Sequence, residues 1–319
     1  MKKILKISAL FLVIASLTVF AFSCTAPEDS TVPGDGNLPQ PSDNPVNVTL
    51  SENAISADNT SGLTVSDSVL TVNAPGTYKL SGKLTDGQII VDTLSKGDVF
   101  LVLSGVDIHC SNNAPIYCKQ AKNLYIVLEK NTVNLVSDGG SYILPVGADE
   151  PDAAIFSKDD LFIMGEGSLT VTANYNDGIT GKDDVNIESG NITVTAANHG
   201  IKGKDSLEIK GGSVTVTAAG DGLKSTQDND ATLGFVEIKA GSIRITAGDE
   251  GIQAYTNVII SGGDISISSV DSAVKAEQVI NLQGGKIAIE SYDNSPFSAL
   301  KVEPSDNVEV TVNGNKFEF

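Results

Sequence analysis

Tryptophan is absent from this 319-residue chain, aromatic residues make up 5%, and arginine occurs once, at Arg244. So few rings leave no obvious row to stack on a flat, neutral polymer. Basic residues are outnumbered by acidic ones, 21 to 40, for a net charge of −19. A face that would offset phosphate repulsion is missing, which argues against nucleic-acid and anionic-lipid partners. Three cysteines are too few for a disulfide framework. Helical amphipathic periodicity is almost absent as well. What is abundant is glycine, 31 residues, together with valine, isoleucine, threonine and serine. Hydrophobic residues reach 40%, enough for a core, so the acidity is not that of a disordered tail.

The first 23 residues have the pattern of an export signal. Lys2, Lys3 and Lys6 precede an apolar stretch, and Ala21-Phe22-Ser23-Cys24 is followed by an abrupt polar run. The apolar stretch is shorter than the roughly 20 residues of a spanning helix. A cysteine directly after the cut resembles a bacterial lipobox and predicts lipidation at Cys24. The alternative is ordinary cleavage that leaves a stray thiol. Residues 24–47, rich in Pro, Asp, Ser, Gly and Asn, read as a flexible tether. The expected product is a cell-surface lipoprotein, a monomer that touches the membrane only through its anchor, with a charge of −22 once the three leader lysines are gone.

The body repeats. A small or acidic residue, then Gly or Ala, then an aliphatic residue, recurs as Asp177-Gly178-Ile179, His199-Gly200-Ile201, Asp221-Gly222-Leu223, Glu250-Gly251-Ile252 and Ser272-Ala273-Val274. The aliphatic positions are 22, 22, 29 and 22 residues apart, and Ile89, Ile116, Ile155 and Leu300 extend the series outward. In phase with it run alternating segments such as Asn191-Ile-Thr-Val-Thr and Ser213-Val-Thr-Val-Thr, and a third set such as Leu207-Glu-Ile. Period-2 alternation of β-branched residues marks half-buried strands, and glycine pairs punctuate them. Three short strands per rung cannot bury an apolar face alone, but stacked rungs can. The predicted fold is all-β: a parallel β-helix, or solenoid, with rungs of about 22 residues over 87–303. A β-sandwich is the rival, and it offers no reason for identical columns at a fixed period. Residues 48–86 are expected to cap the first rung. Val308–Val312, Asn313-Gly314 and Phe317-Glu-Phe319 read as a hairpin that closes the last, so one domain covers 48–319.

The runs Ala153-Ala-Ile-Phe-Ser-Lys-Asp-Asp-Leu, Asp177-Gly-Ile-Thr-Gly-Lys-Asp-Asp, Gly200-Ile-Lys-Gly-Lys-Asp and Asp221-Gly-Leu-Lys-Ser-Thr resemble a family of bacterial secreted carbohydrate-binding β-helix domains. That family is similar in fold to the calcium-dependent pectate lyases of polysaccharide lyase family nine. The resemblance implies a right-handed β-helix, bound Ca²⁺, and binding rather than cleavage of cellulose-like and polygalacturonic-acid polymers.

Residues one period apart sit on neighbouring rungs, about 5 Å apart. Asp221, Asp249, Glu250 and Asp271 fall on three consecutive rungs and are the favoured calcium ligands, since unneutralised carboxylates there would repel. His199 interrupts the column that Asp177 begins. Asp177, Asp183 and Asp205 are secondary candidates. Lys158, Lys182 and Lys204 share a column beside Asp159, Asp183 and Asp205. These are either a ladder of ion pairs or a second calcium site with lysines facing an acidic polymer. Lys182, Lys202, Lys204, Lys224 and Tyr255 are the candidate substrate-binding residues. The extra residues of the long rung carry Asp228-Asn229-Asp230, which either contribute ligands or are solvated. The insert at about 138–153 could wall one side of a groove. Cys110 and Cys118 are either a disulfide or two buried thiols.

A lyase would need a base, and Lys202, Lys224 and Lys275 share one column, so a calcium-dependent polysaccharide lyase is the runner-up. Against it, Gln253 stands where the lyase family has its fourth carboxylate, and arginines are lacking. A structural or adhesin role without a sugar ligand is the other alternative. The expected activity is non-catalytic, calcium-dependent binding of an acidic plant cell-wall polysaccharide.

Overall fold

Each rung of the chain is three strands and three corners. In the computed structural model, residues 38–95, 97–291 and 296–319 are described, and every regular element among them is a β-strand. The leader, Cys24 and the tether up to residue 37 lie outside the described residues. Residues 41–319 form one compact unit.

The recurring aliphatic residues stack as a single parallel register: Ile89, Ile116, Ile155, Ile179, Ile201, Leu223, Ile252 and Val274 pair in turn. All are fully buried. They belong to one 11-stranded sheet of short strands. Two further ladders complete the walls. One runs through Leu161, Val185, Leu207, Val236, Val258 and Ile280. The other runs through Leu169, Ile192, Val214, Ile243, Ile265 and Ile287. The 12-residue strand Val99–Cys110 pairs with both Asn123–Leu128 and Val133–Asp138 and so joins these two ladders into one sheet. Alternation puts every second side chain inside, as in Asn191–Ala196, where exposed and buried positions strictly alternate.

Two glycine columns are required by this geometry. Gly212, Gly241, Gly263 and Gly285 turn the corner between the second and third walls with φ of +84°, +107°, +99° and +92°, a region where a side chain is strained. Gly178, Gly200, Gly222 and Gly251 precede the aliphatic column. A Cβ at Gly222 would lie 2.3 Å from Ile245 Cγ2 and 2.6 Å from the Gly251 carbonyl oxygen.

The ends depart from the sequence expectation. The stack takes Phe297, not Leu300, as its last member. Leu300 is 87% exposed. Phe297 lies close to one regular period beyond Val274, and its ring packs against Phe317 and Phe319. At the other end, Val69–Val72 and Gly76–Leu84 already run parallel to the next rung. Only the antiparallel pairings of Val46–Glu52 with Ala54–Ala57, and of Leu63–Ser66 with Val69–Val72, are cap-like. The C-terminal hairpin forms at Asn313-Gly314, both with positive φ, but its return strand is Asn315–Lys316. Cys110 and Cys118 are free and buried. Burial pushes the Cys118 thiol up to about 12.

Candidate functional site

Acidic residues stand just before the interior column and lysines just after it. Thr180, Lys202, Lys224, Gln253 and Lys275 are in strict register. The periodic offset therefore sets each lysine above the acid of the rung below. Lys202 pairs with Asp177 and Lys275 with Glu250 in this way. Asp177 is fully buried; it also accepts hydrogen bonds from Asn198 Nδ2 at 2.9 Å and the His199 N–H at 3.1 Å. The rule breaks in the middle. Lys224 finds His199 below it, and Asp221 finds Gln253 above it. The two mismatches resolve each other: Lys224 Nζ turns to Asp221 Oδ2 of its own rung, 2.5 Å away.

His199 is neutral by geometry. Its Nδ1 accepts the backbone N–H of Asp221 at 3.0 Å, and an amide always carries its hydrogen. Asp221 Oδ2 is 3.3 Å from the same nitrogen but is already held by Lys224. Burial, above all, depresses the imidazole to about 4.

Three of the four favoured calcium ligands converge. Asp221, Asp249 and Glu250 each offer an oxygen within 4.8 Å of the others. Calcium–oxygen distances of about 2.3–2.6 Å allow one ion to reach such a set. Asp271 stands outside that group; its N–H donates to the Asp249 carbonyl at 3.3 Å. Lys224 and Lys275 already neutralise two of the three, so an ion there shares its ligands with two ammonium groups. The repulsion that the sequence pattern suggests is relieved by lysines at Asp177, Asp221 and Glu250.

Burial, followed by the neighbouring Glu250, pushes Asp221 up from 3.8 to about 6. The folded state thus holds this proton more tightly than the unfolded chain does. The stability this provides is complete below about pH 4 and is lost as pH rises through about 6. With chelator present, the stability of the wild type relative to Asp221→Asn should fall between about pH 4 and about pH 7. A pH-independent difference in denaturant midpoints would contradict this.

The second set of candidates is arranged differently. Lys158 and Lys182 do not pair with Asp159 and Asp183. Both reach Glu150, at 3.3 and 2.5 Å, because the insert returns over this face and brings Glu150 and Asp152 with it. Asp159 instead accepts the Ala121 N–H at 2.9 Å, and Asp205 accepts from Gln227 Nε2 at 2.8 Å. Burial and the charges of Asp205 and Asp159 raise Asp183. Asp160 and Asp184, one position along, escape the sequence pattern; burial and Asp184 push Asp160 up to about 6. Asp228, Asn229 and Asp230 are solvated, and Asp230 is spent on Thr232 of its own loop.

Lys182, Lys202, Lys204, Lys224, His199 and Thr226 line a groove of about 190 Å³ on the short-strand face, and so does Asp152 of the insert, whose Oδ1 is buried without a hydrogen-bond partner among the described residues. A second hollow continues from it through Lys224 and Thr226 to Gln253 and the half-exposed Tyr255. All five candidate substrate-binding residues thus lie along one track. Lys204 forms no ion pair among the described residues and acts on Asp183 only at longer range. Four ammonium groups thus gather in one place, three of them paired with Glu150, Asp177 and Asp221 and one, that of Lys204, without an ion pair among the described residues.

Residues 66–315 match the family described as carbohydrate-binding domain-containing protein. A carbohydrate-binding domain-containing protein of Acetivibrio thermocellus is 41% identical over 150 residues, 47% of this chain and 52% of that one. The matched stretch is thus about half of that relative's length. The solved structure of a polysaccharide lyase-like protein from C. thermocellum, a gadolinium derivative, is 36% identical, with a TM-score of 0.73. The match covers 80% of this chain and 100% of that one.

Proposed function

The chain belongs to the family of carbohydrate-binding domain-containing proteins, and on that footing we propose that it binds an acidic, uronate-containing polysaccharide without cleaving it. The observation that carries this reading is the groove in which Lys182, Lys202, Lys204 and Lys224 converge on a chain of net charge −19. Glu150, Asp177 and Asp221 answer three of these ammonium groups, and Lys204 supplies the unanswered charge, which acts at contact distance despite the net charge of the chain. Tyr255 adds one ring face to the track for a sugar to pack against.

The lysines suit binding better than catalysis. Proton abstraction from a uronate needs a neutral amine near working pH. Burial works to lower Lys202, but Asp177 and Asp152 outweigh it and the group is raised. The hydrogen bond to Glu250 raises Lys275. Both therefore stay protonated.

Calcium belongs to the proposal as a cofactor of Asp221, Asp249 and Glu250. Held there, it would supply the positive charge that Lys224 now gives to Asp221. Lys224 could then face the groove, so ion and polymer binding should reinforce each other. The mature protein is proposed to begin at a lipidated Cys24 and to display this domain at the cell surface.

Retention on immobilised polygalacturonate, its methyl-esterified form and cellulose tests the reading. The acid form should retain the protein, the ester should not, and chelator should weaken retention and lower the melting temperature. Equal retention on acid and ester would overturn it, and an unsaturated ultraviolet-absorbing product would make the protein a lyase.

A further inference from the structure

His199 occupies a position where neighbouring rungs place a carboxylate, Asp177 on one side and Asp221 on the other. In the groove, that exchange reverses the chemistry of one spot on the floor. A carboxylate at 199 would only accept, and it would sit one rung below Lys224, as Asp177 sits below Lys202. The imidazole does neither. Its Nδ1 is used up by the Asp221 N–H, so the ring's hydrogen is on Nε2. That N–H makes no hydrogen bond within the protein among the described residues, and the ring lines the groove.

The same groove is lined by Lys204, which forms no ion pair among the described residues, and by Thr226, with Asp152 as its carboxylate. Lys204 and the Nε2–H can only donate, and the hydroxyl can donate as well. Donors gathered in one groove suit an anionic oxygen group. Neutral hydroxyls of a sugar gain less from it, because they cannot match an ammonium with charge.

We propose that His199 Nε2–H, Lys204 Nζ and the Thr226 hydroxyl form a subsite for one carboxylate of a uronic-acid residue, and that His199 is the residue that fixes this specificity. The subsite rests on the groove being a polysaccharide site. It also accounts for the local exchange of partners, since the histidine is what releases Lys224 from the pairing rule and leaves the floor without a carboxylate at that rung.

The test uses the full domain and oligogalacturonate as probe, with its methyl ester and a sulfated glycan of similar length as further arms. His199→Asp restores the acid of the column and competes with Asp221 for Lys224, so its melting temperature is recorded alongside binding, and Lys204→Ala, which breaks no ion pair among the described residues, provides the independent variant. His199→Asp should bind oligogalacturonate about tenfold or more weakly, as should Lys204→Ala. His199→Gln, whose amide can donate from near the Nε2 position, should stay within about threefold of the wild type. Lys130→Ala, in an exposed pair with Glu166 away from the groove, should bind as the wild type does. Wild-type protein that binds no acidic glycan would defeat the polysaccharide reading itself. Wild-type protein that binds, with His199→Asp and Lys204→Ala binding equally well, would defeat the subsite alone. Loss of binding in His199→Gln at unchanged melting temperature would defeat the donor role. A sulfated glycan preferred over oligogalacturonate would overturn the assignment to carboxylate.

Discussion

Ile201→Asp is expected to abolish the fold. Ile201 is fully buried between Ile179 and Leu223 in the interior column. The substitution forfeits burial worth about 1.5–3 kcal/mol. It also places a charge where no cation or donor of the interior can answer it, which costs several kcal/mol more. Total stabilities run to about 5–15 kcal/mol. The damage also falls mid-stack: a rung touches only its neighbours, so a failed rung uncouples the two halves of the solenoid. Ile201→Val, by contrast, should cost about 1 kcal/mol. Circular dichroism melts of the two variants measure the difference. An aspartate variant melting within a few degrees of the wild type would mean that this column is not the core.

Lys202→Met should be the next most damaging change. Asp177 has no exposed surface and its charge is answered by Lys202. Three donors would remain to it, from Asn198, His199 and Thr180, but no cation at contact distance. Breaking a buried pair from one side costs about 3–5 kcal/mol, because the stranded charge is not resolvated. Asp177→Asn together with Lys202→Met should recover most of that loss, since only the partly exposed Asp152, 3.4 Å from the lysine, then lacks its cation. Chemical denaturation of both single variants and the double variant closes the cycle. If the double variant is as unstable as Lys202→Met alone, the lysine contributes through packing and not through its charge.

The repeat was legible in the sequence because an interior column tolerates nothing but aliphatic side chains at one phase. Ile179, Ile201, Leu223, Ile252 and Val274 announce their register directly. The corner glycines are equally periodic, since their backbone conformation admits little else. Legibility ended where the chain leaves its period. Leu300 has the right chemistry for the column, yet Phe297 fills it, because the aromatic cap of Phe317 and Phe319 selects the ring. The partners of Lys158 and Lys182 could not be read either. Glu150 arrives from a non-periodic insert, and no column spacing encodes where an insert returns. The candidate site was half visible. The lysine and acid columns were plain, but their pairing by an offset of one rung, and the exchange forced by His199 and Gln253, depend on side chains reaching between rungs. In the sequence alone His199 looks like an interruption. In the structure its ring accepts the Asp221 N–H and lines the groove, with Nε2 left over.

The most direct test of the account is calorimetric titration of the domain with oligogalacturonate and with its fully methyl-esterified counterpart, while ultraviolet absorbance of unsaturated product is recorded. Recognition of carboxylates by the lysine groove predicts binding of the acid form, at least about tenfold weaker binding of the ester, and flat absorbance. Equal affinity for the two, or absorbance that climbs with time, would contradict it.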